Sequence, residues 1–250
     1  MIVLQTVAVA FAMFSAVPVP QFNWTEKNMR YAMCAFPLIG VVIGLLWFLC
    51  GVLPLPGAAR AAGFCLIPVW VTGGIHLDGY ADTCDALSSY GDREKKLEIL
   101  KDSHIGAFAA IMLALYYMID IAAISEIHTQ KAVSAVAAVF FLARCFSGIA
   151  VMTLQPAKKE GLLYTFASSA QKVMVKAALY FQTVLCVVLM LLVSGWYGAA
   201  AIGAVLLSFF YFKKKSYKEL GGITGDTAGF FVTVCEAAAA AAVAVTGYFL

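Results

Sequence analysis

Long apolar segments separated by short polar loops fill most of the chain. Each is about 20 residues long, which as a helix crosses a hydrocarbon core of about 30 Å. Strand-length alternation of polar and apolar residues is missing, so an outer-membrane barrel is not indicated. We therefore predict an all-α fold, a polytopic membrane helix bundle that forms one integral membrane domain over residues 1–250. It has about seven transmembrane helices, near 31–53, 58–77, 105–124, 132–154, 173–193, 196–212 and 227–250.

Two segments allow more than one interpretation. Residues 1–17 are apolar, lack the basic start of a signal peptide, and end at Pro18 and Pro20. We predict an N-terminal interfacial or re-entrant helix there, with an eighth span as the alternative. The short sixth span, 196–212, either crosses alone or forms part of a kinked hairpin.

The composition agrees with a membrane protein. Of the 250 residues, 63% are hydrophobic and 12% are charged, and the mean hydropathy is +0.89. A soluble domain averages roughly 45–50% apolar and about 25% charged residues, so disordered, collagen-like, coiled-coil and ordinary globular classes are excluded. The net charge of +3 is small. We expect the lipid bilayer as a partner and no nucleic acid; the sequence leaves a homodimer open.

The positive charges are sorted by side. If the loop 21–30 is cytoplasmic, alternation through seven spans puts 14 of the 17 Lys and Arg residues on that side. Basic residues are retained in cytoplasmic loops, so this asymmetry supports both the span count and the orientation. We predict a protein of the bacterial or archaeal cytoplasmic membrane whose chemistry faces the cytoplasm. The 14 are Lys27, Arg30, Arg93, Lys95, Lys96, Lys101, Lys158, Lys159, Lys172, Lys176, Lys213, Lys214, Lys215 and Lys218.

Three aspartates follow the second span at a helical spacing. Asp78, Asp82 and Asp85 are at positions i, i+4 and i+7, which places them on one face of a helix. Such stacked carboxylates repel one another unless a cation compensates them. Oxygen ligands at a membrane surface suit Mg²⁺, or Mn²⁺, better than zinc. The alternative is a solvated polar helix end with no ligand.

A glycine-rich turn precedes the last span. Residues 220–229 read LGGITGDTAG, with Asp226 at the start of the helix. Free backbone N–H groups and the helix dipole favour phosphate there, and Asp226 is a further candidate metal ligand or base. Alternatively, the glycines form a tight loop and Thr224 caps the helix.

Two further places carry candidate polar residues. Lys101, Asp102 and Ser103 precede the third span, where Asp102 or Ser103 can cap the helix. Arg144 lies near mid-membrane, where a charge is costly, and we expect it to pair with Glu236 or with a substrate anion.

At these residues the sequence resembles the cobalamin synthase family, the adenosylcobinamide-GDP ribazoletransferases. Val17 stands where the family usually has a basic residue, and Ala86 where many members have glycine. Five motifs occur in family order: FSAVPVP at 14–20, FPLIG at 36–40, GGIHLDGYADTCD at 73–85, LEILKDSHIG at 97–106 and GGITGDTAG at 221–229.

The resemblance implies a Mg²⁺-dependent transferase that joins adenosylcobinamide-GDP to α-ribazole or α-ribazole 5'-phosphate and releases GMP. Asp78, Asp82, Asp85 and Asp226 are then the metal ligands, and Asp82, Asp85 and Asp226 the catalytic residues. Substrate contacts are expected from His76, Lys101, Asp102, Ser103, Arg144, Gly221, Gly222, Thr224, Gly225 and Thr227.

Two other functions compete with this one. A CDP-alcohol phosphotransferase also depends on metal-binding aspartates. In this sequence, however, Asp82 stands in place of the arginine of that family's DGxxAR helix, and that family's second acidic motif is missing. An ion or solute transporter would use the intramembrane charges Asp120, Arg144 and Glu236. The strongest acidic cluster lies at one interface instead of the midplane, which favours the transferase.

Overall fold

The computed structural model describes residues 2–20, 22, 25 and 29–250, and these residues form helices and no strands. The predicted all-α bundle is thereby confirmed. Lys27 and most of the loop 21–30 lie outside the described residues. The helices are α1 (Ile2–Phe14), α2 (Ala32–Val52), α3 (Gly57–Thr72), α4 (Ile75–Ser88), α5 (Arg93–Ile99), α6 (Ala107–Ser125), α7 (Gln130–Thr153), α8 (Leu162–Ser169), α9 (Lys172–Ser194), α10 (Trp196–Leu220) and α11 (Gly225–Gly247).

Within the described part of the chain, six helices are long and apolar enough to cross a membrane: α2, α6, α7, α9, α10 and α11. The sixth predicted span is a single 25-residue helix, Trp196–Leu220. The expected end near residue 212 was wrong, and so was the kinked-hairpin alternative. The helix continues through the basic run that begins at Lys213 because Lys is a good helix former and the charges lie beyond the apolar part.

The second predicted span, 58–77, is interrupted. Helix α3 ends at Thr72, and α4 leaves it at an angle of 93°. Gly73 and Gly74 have φ values of 66° and 83°, a left-handed conformation that glycine adopts without steric cost. The prediction of one continuous helix to residue 77 was therefore wrong. If the bent pair counts as one span, the described helices make up to seven.

Helix α1 contains 13 residues, a length of about 20 Å, which is shorter than the hydrocarbon core of about 30 Å. Val9 and Ala10 are buried in the main core. The backbone N–H of Ala16 donates to Val71 O at 2.9 Å, next to the break between α3 and α4. This short helix agrees with the predicted interfacial or re-entrant segment and not with an eighth span.

Helix α7 lies at the centre of the bundle, where α2 packs closely against it. A Cβ at Gly40 would lie 2.2 Å from Phe140 O, and one at Gly44 would lie 2.3 Å from Ala137 O. Small residues four positions apart allow membrane helices to come into backbone contact. This contact fixes the scaffold around which α9, α10 and α11 pack.

The loops that carry most basic residues meet at one end of the bundle. Lys96 forms an ion pair with Glu219, and Lys101 pairs with Glu160 at 2.7 Å. At the other end, Arg60 lies 3.1 Å from His128. Lys96 and Lys101, from the set predicted on one side, thus share an end of the bundle, and Arg60, outside that set, lies at the other.

Candidate active site

A cavity of about 340 Å³ opens at the basic end of the bundle, between α4, α11 and the α7–α8 loop. Its lining is partly polar and partly apolar. Its volume lies at the lower end of the range of small-molecule sites. The polar wall consists of His76, Asp78, Lys158, Glu160, Thr224, Gly225 and Asp226.

The aspartates meet here because α4 and α11 are in backbone contact. A Cβ at Gly79 would lie 2.8 Å from the backbone oxygen of Asp226 and 3.0 Å from its Cα. One turn further along, a Cβ at Gly229 would lie 3.2 Å from His76 O. Glycines on both helices thus bring Asp78 and Asp226 to the same cavity.

The four aspartates do not play equal parts. The Asp82 carboxylate is within electrostatic range of the other three, but only Asp78 and Asp226 line the cavity. Asp85 points to the start of α6, since a Cβ at Gly106 would lie 2.0 Å from Asp85 Oδ2. The three aspartates of α4 therefore do not all face the cavity: Asp78 lines it, and Asp85 contacts the start of α6.

A magnesium ion fits part of this arrangement. The described residues include no group of three or more His, Cys, Asp or Glu side chains that could hold a metal ion. Mg²⁺, however, is usually bound through one or two carboxylates together with substrate phosphates and water. Asp78 and Asp226, on two helices at one cavity, supply that smaller donor set.

The glycine-rich turn forms both the tight loop and the helix cap that the sequence allowed. The backbone N–H of Ile223 donates to Gln155 O at 3.0 Å, and a Cβ at Gly222 would lie 2.5 Å from the same oxygen. Thr224 and Thr227 form a capping box at the start of α11. Gly221, Gly222 and Thr227 therefore support the loop and do not line the cavity.

Thr224 also orients the aspartate. Its hydroxyl donates to Asp226 Oδ2 at 3.3 Å and accepts the N–H of Thr227 at 3.1 Å. The first turn of α11, with Gly225 and Asp226, borders the cavity. The positive end of the helix dipole thus adjoins the space next to Asp78, where it favours an anionic ligand.

Sequence reasoning missed Lys158 as a site residue. It was counted only as a cytoplasmic charge, but its side chain lines the cavity and donates to Leu97 O at 3.1 Å. Burial lowers the pKa of Lys158, Lys101 lowers it further, and the charges of Asp226 and Glu160 oppose these effects. No local motif marks this lysine, because only the fold brings it opposite Asp226.

Arg93 was also missed. Its Nε donates to Leu220 O at 2.8 Å, and its Nη2 donates to Ala157 O at 3.0 Å. One guanidinium thus joins the C-terminus of α10 to the α7–α8 loop, immediately behind the glycine-rich turn. Arg93 therefore supports that turn. The sequence could not indicate this role, because Arg93 is one charged residue within a charged segment.

The predicted cluster at residues 101–104 is exposed. Lys101 binds Glu160 at the cavity rim. Asp102 accepts from His104 Nδ1 at 2.6 Å, and this hydrogen bond lowers the pKa of Asp102. The cap of α6 is Gly106 without a side-chain hydrogen bond, so the predicted capping by Asp102 or Ser103 was wrong. Ser103, like its neighbours, does not line the cavity.

Arg144 pairs with Glu236, the first of the two partners that the sequence left open. Its Nη1 lies 2.7 Å from Glu236 Oε1, and the arginine is completely buried. Both residues border a small internal cavity of about 40 Å³ together with Asp120 and His76. The nitrogens Nε and Nη2 of Arg144, and Nε2 of His76, have no hydrogen-bond partner among the described residues.

Breaking this pair should destabilise the protein strongly. Arg144→Met leaves Glu236 buried without a counter-charge, for which we expect a loss of about 3–5 kcal/mol in the free energy of unfolding. The double variant Arg144→Met/Glu236→Met removes both charges and should recover most of that loss. Thermal unfolding in detergent measures the stability of the single and the double variant. Equal stability of the Arg144→Met variant and the wild type would show that the pair is not structural.

These features define a polytopic helical membrane protein with an acidic cavity at one end. A family model described as cobalamin-5-phosphate synthase matches residues 6–244. The chain therefore belongs to the cobalamin-5-phosphate synthase family, and it is a transferase of cobalamin biosynthesis. No solved structure shows significant similarity to it.

Curated relatives cover nearly the whole chain. A protein of Lachnoclostridium phytofermentans is 42% identical over 97% of this chain and 94% of its own length. A Clostridium botulinum protein (strain Eklund 17B) is 34% identical over 91% and 92%, and one of Geotalea daltonii is 32% identical over 88% and 89%. All three are named adenosylcobinamide-GDP ribazoletransferase. The names favour the first of the three functions predicted from the sequence.

Proposed function

We propose that this chain transfers the adenosylcobinamide phosphate group from adenosylcobinamide-GDP to α-ribazole or α-ribazole 5'-phosphate. A ribose hydroxyl oxygen forms the new bond to phosphorus, the bond from that phosphorus to GMP breaks, and the hydroxyl proton passes to a base. The observation that carries the proposal is one cavity that holds two aspartates, a helix N-terminus and a lysine.

Asp78 and Asp226 would hold Mg²⁺, with Mn²⁺ as an alternative, in contact with the pyrophosphate. When bound, the ion neutralises phosphate charge and stabilises the leaving nucleotide. Asp82 adds negative charge beside both ligands. A cation bound there would offset the mutual repulsion of these three carboxylates.

Proton transfer and phosphate binding also fall to polar groups of the cavity, and Asp226 then serves both as a ligand and as the base. Asp226 is better placed than Asp85 to accept the hydroxyl proton, since Asp226 lines the cavity and Asp85 lies over Gly106. The Lys158 ammonium and the N-terminus of α11 both border the cavity and bind phosphate oxygens. Together these groups position both substrates and bind the charge that the reaction moves.

The bilayer fixes how the substrates reach the cavity. The Lys and Arg residues near the cavity support an orientation with the cavity at the cytoplasmic face, by the positive-inside rule. The cavity of about 340 Å³ lies at the lower end of small-molecule sites, so the corrin ring stays outside while the pyrophosphate enters. The active site then faces the cytoplasm of a bacterial or archaeal cell.

The test is a product assay on detergent-purified protein. With adenosylcobinamide-GDP, α-ribazole and Mg²⁺, we expect GMP and adenosylcobalamin in equal amounts. EDTA should stop the reaction, and excess Mg²⁺ or Mn²⁺ should restore it. Full turnover after metal removal would refute the metal site, and the absence of GMP would refute the transferase assignment.

A further inference from the structure

The apolar wall of the cavity is not explained by phosphate chemistry. Three phenylalanines form an aromatic wall there: Phe14 at the end of α1, Phe36 on α2 and Phe166 on α8. The Phe14 ring centroid lies 4.7 Å from that of Phe36 and 5.6 Å from that of Phe166. The three rings thus come from helices other than α4 and α11, which carry Asp78 and Asp226.

The surroundings of the aromatic wall are also apolar. Met33, Val151 and Leu163 enlarge the apolar part of the lining, and Ser147 adds one hydroxyl group to it. His76 links the two walls, since its ring centroid lies 5.9 Å from that of Phe36. A ligand that spans the cavity therefore has an apolar, flat end against the rings and a polar end at Asp78 and Asp226.

The geometry points to the aromatic wall as the binding site for the base of the acceptor nucleoside. α-Ribazole carries a dimethylbenzimidazole, which is flat, bears two methyl groups and offers one free ring nitrogen. The half-buried Phe14 ring offers the contact surface for such a base, and Phe36 and Phe166, which are 3% and 2% exposed, pack behind it. Its ribose then lies toward Asp226. This inference rests on the proposed function, because it assigns one of that reaction's two substrates.

The guanine of the other substrate does not suit the same wall. Its edge carries several donors and acceptors, and a polar group buried without a partner costs binding free energy. One serine hydroxyl cannot satisfy them. The donor's guanosine must therefore leave the cavity on its polar, open side, where Lys158 and Glu160 lie.

Two variants test the aromatic wall. Phe14→Ala removes a half-buried ring, and Phe166→Leu keeps apolar volume in case the larger truncation unfolds the protein. Removing a stacked aromatic ring costs about tenfold in affinity. We expect the KM for α-ribazole to rise about that much in Phe14→Ala and severalfold in Phe166→Leu, with the KM for adenosylcobinamide-GDP within twofold of wild type.

The control is Phe209→Leu, which alters an aromatic pair outside the cavity, where Phe146 and Phe209 have ring centroids 5.3 Å apart. It should change neither KM. Titration of purified protein with α-ribazole alone, and competition by free dimethylbenzimidazole, measure the site without turnover.

The outcomes separate the two proposals. Unchanged α-ribazole binding in both variants overturns the assignment of the aromatic wall. A rise confined to the KM for adenosylcobinamide-GDP overturns it as well. In both cases, GMP release by the wild type still upholds the proposed function. A different result is also possible: the wild type releases no GMP, but it binds α-ribazole and the variants bind it more weakly. That result upholds the aromatic wall and refutes the transferase assignment.

Discussion

Asp226→Asn should lower the rate of GMP release by roughly 10²- to 10⁴-fold, the range typical of a lost acid–base group. Asparagine keeps the size of the side chain and the contact with the Thr224 hydroxyl, but it removes the charge at the cavity wall. The substitution also weakens the proposed metal site, so the Mg²⁺ concentration for half-maximal rate should rise. Initial rates across a Mg²⁺ titration measure both effects.

Glu98→Gln is the matched control. It removes one carboxylate from the same end of the molecule, where the Glu98 side chain forms, among the described residues, only an exposed ion pair with Lys95. Its rate should stay within twofold of wild type. Normal turnover of the Asp226→Asn variant would show that this carboxylate is neither base nor ligand.

Gly79→Ala should lower kcat by roughly 10²-fold without removing a polar group. The added methyl would lie 2.8 Å from a backbone oxygen of α11, which cannot rotate away as a side chain can. The two helices must then separate, and Asp78 moves away from Asp226. A displacement of about 1 Å at a reacting centre can cost about 10²-fold in rate. The assay is kcat at saturating substrates.

Gly203→Ala provides the comparison. Gly203 lies inside α10 with open space around its Cα, and alanine favours a helix over glycine. This variant should match wild type in rate and equal or exceed it in thermal stability. If Gly79→Ala also kept its rate, the contact between α4 and α11 would not set the position of the aspartates.

The sequence predicted the helices well because their signal is local. Continuous apolar segments specify a span wherever they occur, and α2 and α7 begin and end within two residues of the prediction. Hydropathy stays high across Gly73 and Gly74, so it could not reveal a change of direction that depends on two left-handed residues. The same break lets α4 lie along α11.

The site was predicted in part. The i, i+4, i+7 spacing located the aspartates on α4, and the glycine-rich turn located Asp226. Spacing could not show that Asp85 lies over Gly106, because that contact depends on where α6 begins. Lys158 and the aromatic wall come from segments far apart in the chain, and no local pattern reports such proximity.

The buried pair of Arg144 and Glu236 has a consequence for biosynthesis. The two residues are 92 positions apart, so at about 5–20 residues per second the arginine waits roughly 5–18 s for its partner. During that time a charged helix is held at the translocon or in the bilayer at a cost of about 2.5–3.5 kcal/mol. Arrival of the last helix neutralises it. The charge pair therefore forms only when α11 arrives, and because α11 also carries Asp226, the nascent chain completes the pair and the cavity at Asp226 in one step.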